Sequence, residues 1–374
     1  MKILAYRHDK EVWNDFVRRH YPPVGNFMLS WEWGAFQKKL GRATERFAIE
    51  DDAGATIGLF TLVYYPLPFG FKYAYLPRGP LVAVPEGSAA TFESVFAEAL
   101  RAIEAWAKEY LRECIFLRLE PPVEALPLGT SVNYRVPDHY VQPRYNLALP
   151  LSEDLRAMVH PSTRSNINRA ERRGASVLVK ESLSDEEYAD FKRMVKDTIK
   201  RNSGVNAYPD EAYFRAFLKT FAEDCKGGVC ADGVSLKIFC GYRDGDPAGT
   251  HLVLYYADTA TYLFGASLTK HLDSKISTYL HMKAAEDAQK RGYRYYDIGG
   301  IDPERWPTLT EFKRQFRGTE FCYMGNMDIL LRPRLYTVYT LVRKVKGFFH
   351  SLRQKENKKP AKPGVMPGLK QMPA

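Results

Sequence analysis

Cysteine is scarce in this chain: five residues in 374 (Cys114, Cys225, Cys230, Cys240 and Cys322), odd in number and scattered. That pattern argues against a disulfide framework. Cys225 and Cys230 also lack the second close pair that a zinc site needs, so no metal is expected. No apolar run reaches the roughly eighteen residues of a membrane-spanning helix. The opening stretch, MKILAYRHDKEVWNDF, lacks the continuous apolar core of a secretory signal, so the expectation is a cytoplasmic protein. Neither a Walker loop, nor a GxGxxG strand-to-helix turn, nor an ordered Ser-His-Asp set is present. The glycines in RGASVLVK and FGAS follow no phosphate-loop pattern, and no cofactor is expected.

Charge is abundant but unevenly placed. The net charge is +10. From Arg343 onward, nine Lys/Arg face one acid, Glu356, which puts +8 in the last 32 residues and leaves the body nearly neutral. A basic tail suits an anionic partner, either nucleic acid or an anionic membrane face. The plainer reading is a solubilising segment. Lys355 to Ala374 carries four prolines and is expected to be disordered. Ahead of it, Leu335, Val338, Leu341 and Val342 mark the apolar side of an amphipathic helix, which either packs on the body or lies at a membrane interface.

The body divides into two halves with one order of elements. RFAIEDDAGATIGLFTLVYYPLPF and VSLKIFCGYRDGDPAGTHLVLYY each read as strand, turn, strand. FKYAYLPRGPLV and ATYLFGAS supply a third strand in each half. A long helix follows, SAATFESVFAEALRAIEAWAKEYLRE or SKISTYLHMKAAEDAQKRG, and then a last strand, CIFLRLE or YRYYDIG. Two helices precede each set, and Ser184 and Glu187 stand at capping-box spacing. This order is that of the GNAT acyltransferase fold, so the expected class is α+β: tandem GNAT-like units, each a mixed, mostly antiparallel sheet flanked by helices. The first unit is expected over residues 1–148, completed by 321–345, and the second over 149–320, with a basic tail at 346–374. Gln142 to Leu149 reads as an edge strand. After it, Pro161 starts a helix that Gly174 ends, and Arg156, Arg164, Asn168 and Arg172 recur near helical spacing, joined by Arg169 and Arg173. These arginines make either a solvated basic face or a phosphate grip, since guanidinium matches phosphate bidentately.

From about Phe27 to Tyr339 an ordered set of motifs resembles the Fem (FemABX) aminoacyltransferases: SWEWGAFQKKLGR, YLPRGPL, LRLEPP, QPRYNLALPLS, HPSTRSNINRAERRGASV, TYLFGAS, GYRYYDIGGID and LTEFKRQFRG. The absence of a long heptad arm matches the compact, FemX-like form. The resemblance implies transfer of an amino acid from aminoacyl-tRNA to an amine on the stem peptide of a peptidoglycan precursor, either lipid II or UDP-MurNAc-pentapeptide. The GNAT loop Gln/Arg-x-x-Gly-x-Gly/Ala, which holds coenzyme A phosphates, is missing from both halves, which argues against an acyl-CoA donor.

The resemblance also assigns residues. Lys313, in EFKRQF beside Phe312, matches the lysine of the acyl-transfer site. Chemically, attack on an ester makes an oxyanion, which a fixed, buried ammonium stabilises. Phe312 would hold the lysine stem or stack on a base at the tRNA end. In WGAFQKK, Lys38 or Lys39 would grip precursor phosphate, with Lys38 preferred. Arg164 matches the family's junction arginine, and Tyr262 and Phe264 its tyrosine pair, the second without its hydroxyl. The acid expected after RGP is replaced by Ala83, which leaves the general base unassigned. Tyr75 and Arg78 would line the acceptor cleft. A monomer with peripheral contact to an anionic membrane completes the expectation. The competing readings are a GNAT-type acyl-CoA N-acyltransferase and a non-catalytic binder of RNA or membrane surfaces.

Overall fold

A computed structural model describes residues 1–21, 24–152, 154–202, 208–222 and 233–357, without the side chains of 346–357. Cys225 and Cys230 lie outside the described residues, as do residues 358–374 of the basic tail. Contacts divide the chain into a body, Met1–Leu331, and a C-terminal unit from Arg332.

In the body the strands are β1 (Lys2–Ala5), β2 (Thr44–Glu50), β3 (Thr56–Pro66), β4 (Lys72–Leu76), β5 (Leu81–Val82), β6 (Cys114–Leu119), β7 (Tyr134–Arg135), β8 (Tyr145–Pro150), β9 (Ala175–Lys180), β10 (Ser235–Arg243), β11 (Asp246–Tyr256), β12 (Thr259–Ser267), β13 (Tyr295–Ile301), β14 (Thr319–Cys322) and β15 (Met327–Leu330). The helices are α1 (Lys10–His20), α2 (Trp31–Lys39), α3 (Phe92–Tyr110), α4 (Leu155–Met158), α5 (Pro161–Arg172), α6 (Asp185–Arg201), α7 (Glu211–Ala222), α8 (Ile276–Lys290) and α9 (Pro307–Arg314).

The two sheets repeat one order. The first runs β1-β2-β3-β4-β6-β15-β7, with β5 on β3; the second, read from its far edge, runs β9-β10-β11-β12-β13-β8-β14. Each has an antiparallel meander and then one parallel pair, β4 with β6 or β12 with β13, joined through a long helix. These are tandem GNAT-like units of class α+β, as the element order implies. The central strand of the first meander, β3, is buried without interruption from Ile57 to Tyr64, so both its faces are covered. Long helices with one apolar stripe cover the sheets: α3 buries Phe96, Leu100 and Ile103, and the expected Ser184–Glu187 capping box starts α6.

Pairing corrects the sequence reading at the junction. The expected edge strand at Gln142–Leu149 is β8, an interior strand between β13 and β14. The division after residue 148 therefore falls inside a strand of the second sheet. The boundary at residue 321, where the chain is expected to return to the first unit, falls inside β14, which extends the second sheet; β15 then completes the first. Only strand partners reveal this, because both strands are four residues long. The short strands β1 and β9 edge their sheets and lie outside the expected strand set.

One core joins the halves. Phe36 of α2 is fully buried and meets the rings of Tyr213, Phe217 and Phe221 of α7 at 5.1, 5.7 and 5.4 Å. Trp13, Phe27, Leu252 and Tyr256 belong to the same apolar cluster.

The C-terminal unit begins with a helix, α10 (Pro333–Asn357). It continues through residues that the sequence reading assigned to a disordered tail. Val338, Leu341, Val342 and Val345 are all exposed, at 57, 62, 47 and 46 %. No helix among the described residues is long and apolar enough to cross a membrane.

Candidate active site

The second sheet opens where its parallel pair ends. β12 and β13 pair only at Thr259–Tyr295, Ala260–Tyr296 and Thr261–Asp297. Past that point β12 stays with β11, while β13 pairs with β8 through Gly300–Asn146. The strands splay, and a cleft of about 520 Å³ lies against the opening. Its second-half wall includes Thr261, Tyr262, Phe264, Asp297, Gly299 and Gly300. The first half contributes Gln37, Arg42, Tyr65, Tyr75 and Arg78.

Lys313 stands directly behind Gly299 and Gly300. Pro307 sits in the first turn of α9 and suits a helix start, and Lys313 lies in its last turn, where a cation is favoured. The side chain is 6 % exposed. Its ammonium donates to the Gly300 carbonyl at 2.7 Å. A β-carbon on Gly299 would lie 3.3 Å from Nζ and 3.5 Å from the Tyr262 carbonyl, and Gly299 has φ +90°. Glycine is therefore needed twice over: for the left-handed backbone, and to keep a β-carbon from crowding the ammonium. Burial lowers the Lys313 pKa to about 8, against an opposing pull from Asp297.

Asp297, at the splay, is 1 % exposed, and burial raises its pKa to about 6. The Gly299 amide donates to Oδ1 at 2.8 Å, and the Asn146 amide approaches both oxygens at 3.4 Å. Lys313 and Arg78 favour its charged form. The expected position after RGP holds no acid, but this carboxylate lies in the cleft. YRYYDIGG showed it only as one polar residue ending a buried strand.

Behind the lysine is an aromatic and imidazole layer. Phe312 is half-buried, with its ring 5.6 Å from Phe316 and 5.9 Å from His281. The His281 Nδ1 hydrogen bonds with the Tyr296 hydroxyl at 2.9 Å. His281 and His251 lie ring to ring at 4.3 Å, and Tyr262 meets both. Burial drives the His281 pKa well below normal and that of His251 to about 3. Both are neutral at physiological pH and add no charge that would compete with Lys313 for an anion. Phe312 and Phe316 thus face the core at i, i+4, while Lys313 projects to the splay.

On the first-half wall, the Tyr75 hydroxyl donates to Glu120 at 2.5 Å, and the Gln142 amide donates to the same carboxylate at 3.0 Å. Burial raises both the Tyr75 and Glu120 pKa values. Arg78 is 3 % exposed, takes φ +47°, donates to the Pro143 carbonyl at 3.0 Å and lies 4.5 Å from the centre of the Tyr323 ring. Among the described residues its Nε has no partner, nor have Asn146 Oδ1 and Thr261 Oγ1. Unpaired buried polar atoms lining one cavity are what a polar ligand would satisfy.

The fold brings Tyr262, Tyr75 and Arg78 to the lining of one cleft, with Lys313 just behind its Gly299–Gly300 wall and Phe312 in the layer behind the lysine. It does not bring Lys38 or Arg164 there. Lys38 is exposed outside the cleft lining, and its neighbour Gln37 turns inward instead. Arg42 bonds Gln37 at 2.6 Å and lies over Tyr65 at 5.0 Å, so it supplies the cleft cation on that side. Arg164 is exposed on α5, over a separate shallow depression. Helical periodicity places Lys38 and Gln37 on different faces, and one residue decides which enters.

Among the described residues, no cluster of metal-ligating side chains occurs. The FemAB family model matches residues 9–126, and a model described as an acetyltransferase (GNAT) domain matches 161–314. The chain is 26 % identical over 317 residues to the UDP-N-acetylmuramoylpentapeptide-lysine N(6)-alanyltransferase of Weissella viridescens, covering 77 % of this chain and 84 % of that protein. The crystal structure of FemX superposes with a TM-score of 0.71 at 18 % identity, over 91 % of this chain and all of that one. A tandem GNAT protein from the clavulanic acid biosynthesis pathway gives 0.51 at 16 % identity, over 88 % of this chain and 98 % of that one. One half matches the FemAB model, the other the GNAT model, and the whole shares the fold of FemX: along most of its length the chain resembles the Fem family.

Proposed function

We propose that this protein is an aminoacyltransferase that moves an amino acid from aminoacyl-tRNA to an amine on the stem peptide of a peptidoglycan precursor. The observation that carries the reading is a buried carboxylate, Asp297, on the wall of a cleft shared by both halves, with the buried ammonium of Lys313 just behind that wall on the Gly300 carbonyl. The Weissella relative, by its name, alanylates a lysine of UDP-N-acetylmuramoylpentapeptide, and an acceptor of that class fits a cleft with Arg42 and Arg78 on its first-half side. These arginines take the role the sequence suggested for Lys38 and Arg164, holding precursor phosphate.

The chemistry follows from the two charges. The acceptor amine attacks the ester carbonyl, forming the C–N bond and an oxyanion that the Lys313 ammonium stabilises. Asp297 takes the proton lost by the amine. The C–O bond to the ribose breaks, and the leaving oxygen receives a proton from Lys313, which Asp297 then restores. In the net reaction, one proton passes from the amine to the ribose hydroxyl. Phe312 fixes the lysine stem, and the neutral His281 layer keeps the ammonium desolvated.

The exposed apolar stripe of α10, with Arg343 and Lys344 beside it, favours a lipid-linked acceptor met at an anionic membrane face. The test incubates purified protein with labelled aminoacyl-tRNAs and either UDP-MurNAc-pentapeptide or lipid II in detergent. A mass gain of one aminoacyl residue on either acceptor, abolished in Lys313→Met, is expected. Acyl transfer from an acyl-CoA instead would replace this reading with the GNAT one.

A further inference from the structure

We infer that the exposed arginine face of α5 is a docking surface for the phosphate backbone of double-helical RNA, here the body of the donor tRNA. The inference rests on the aminoacyl-tRNA reading above and adds where the RNA outside the cleft is held. Arg164, Arg169 and Arg172 are all exposed. With Pro161, Ser165 and Asn168, Arg164 and Arg172 line a shallow depression of about 350 Å³.

Local carboxylates do not neutralise this face. Glu171, the only acid in α5, is held by Arg156 at 2.5 Å, and Arg173 by Asp273 at 2.6 Å. Arg164 makes only a 3.4 Å contact to the Ala157 carbonyl. Neither Arg169 nor Arg172 makes an ion pair with any described residue. Guanidinium forks alternating with Ser and Asn donors suit phosphate and ribose oxygens.

Two further features select RNA over a membrane. The apolar residues of α5, Ile167 and Ala170, are fully buried. An interfacial helix needs an apolar face to insert, and this one has none free. The surface is also tied to the reaction centre. The His160 amide and the Thr163 hydroxyl both donate to the Gln315 carbonyl, at 2.9 and 3.2 Å, two residues after Lys313. The arginine row thus leads away from the end of the Lys313 helix for about 12 Å, at 1.5 Å per residue. A duplex held there has its single-stranded end near the splay.

The test compares wild type with Arg169→Gln/Arg172→Gln and with the charge-preserving Arg169→Lys/Arg172→Lys. Deacylated tRNA binding is measured over a salt series by fluorescence anisotropy, beside anionic vesicles. Transfer kinetics use full aminoacyl-tRNA and a short aminoacyl-trinucleotide donor. For the glutamine variant we expect tRNA affinity to fall tenfold or more and the salt slope to drop by about two, one for each phosphate that is no longer neutralised. KM should rise for aminoacyl-tRNA alone, and the lysine variant should recover most of the loss. Unchanged tRNA affinity and KM would overturn the inference. So would an equal loss with the short donor, or loss of vesicle binding alone. If arginine-dependent tRNA binding holds but wild type transfers to no acceptor, the docking surface stands and the proposed reaction falls.

Discussion

Lys313 and Asp297 are both held against their ordinary ionisation by burial, one down to about 8 and the other up to about 6. A mechanism that needs ammonium and carboxylate together works best between these values. The expected kcat/KM profile is a bell, falling below about pH 6 as Asp297 protonates and above about pH 8 as Lys313 loses its proton. Asp297→Asn should lower kcat by a factor of about 100 or more and abolish the acid limb; an intact acid limb would remove Asp297 from the chemistry. The lysine also carries a stability cost. Its folded pKa lies below the unfolded value, so the native state is penalised below pH 8 and relieved as pH rises from there towards 10.5. Lys313→Met should therefore stabilise the fold by up to about 3 kcal/mol at pH 7, seen as a raised melting temperature, while losing activity. Loss of the partner charge on Asp297 offsets part of that gain. A lower melting temperature would mean that the ammonium is a structural contact. Gly299→Ala places a β-carbon over Nζ at a φ that disfavours it, and should cost about 1–3 kcal/mol in strain and nearly all turnover. Thermal melts and single-turnover kinetics read both.

At the scale of elements, most helices were legible because each carries its own evidence. Ser184 and Glu187 cap α6, Pro161 opens α5, and the 3.6-residue spacing of apolar positions marks α3. Strand partners were not legible. Gln142–Leu149 reads as an edge from its sequence, because nothing local announces that Thr319–Cys322 will cover the strand it forms. α10 is the reverse case: its apolar stripe is visible in sequence and remains exposed in the fold. Substituting Leu341 and Val342 with Ser should weaken binding to anionic vesicles about tenfold or more while leaving the far-UV spectrum of the body unchanged, since each lost apolar side chain removes roughly 1.5–3 kcal/mol of insertion energy. Unaltered vesicle binding in a flotation assay would leave α10 without a membrane role.

For the whole molecule, the shared core makes two sheets one body. Phe36, from the first half, sits among rings of the second. Phe36→Ala should cost about 3–5 kcal/mol and lower a single unfolding transition seen alike by near- and far-UV circular dichroism. Two separated transitions would show that the halves unfold independently. The same interlock gives the cleft two walls, so the groups from the two halves keep a fixed separation without a flexible linker.

What the sequence determined by itself is what short-range chemistry encodes: the kinds of elements, their repeated order, and the cation between aromatics in EFKRQF. Ordered motifs also singled out Tyr75, Arg78 and Tyr262, which line one cleft. The tertiary structure alone decided that Asp297 joins them, that Gln37 and Arg42 face the cleft where Lys38 does not, and that Arg164 lies on another surface. The reason is physical. Side-chain direction on an element follows from its local period, but which face meets a cleft depends on partners distant in the chain. A carboxylate becomes a candidate base only when neighbouring strands remove its water and a helix brings an ammonium close enough to influence its charge.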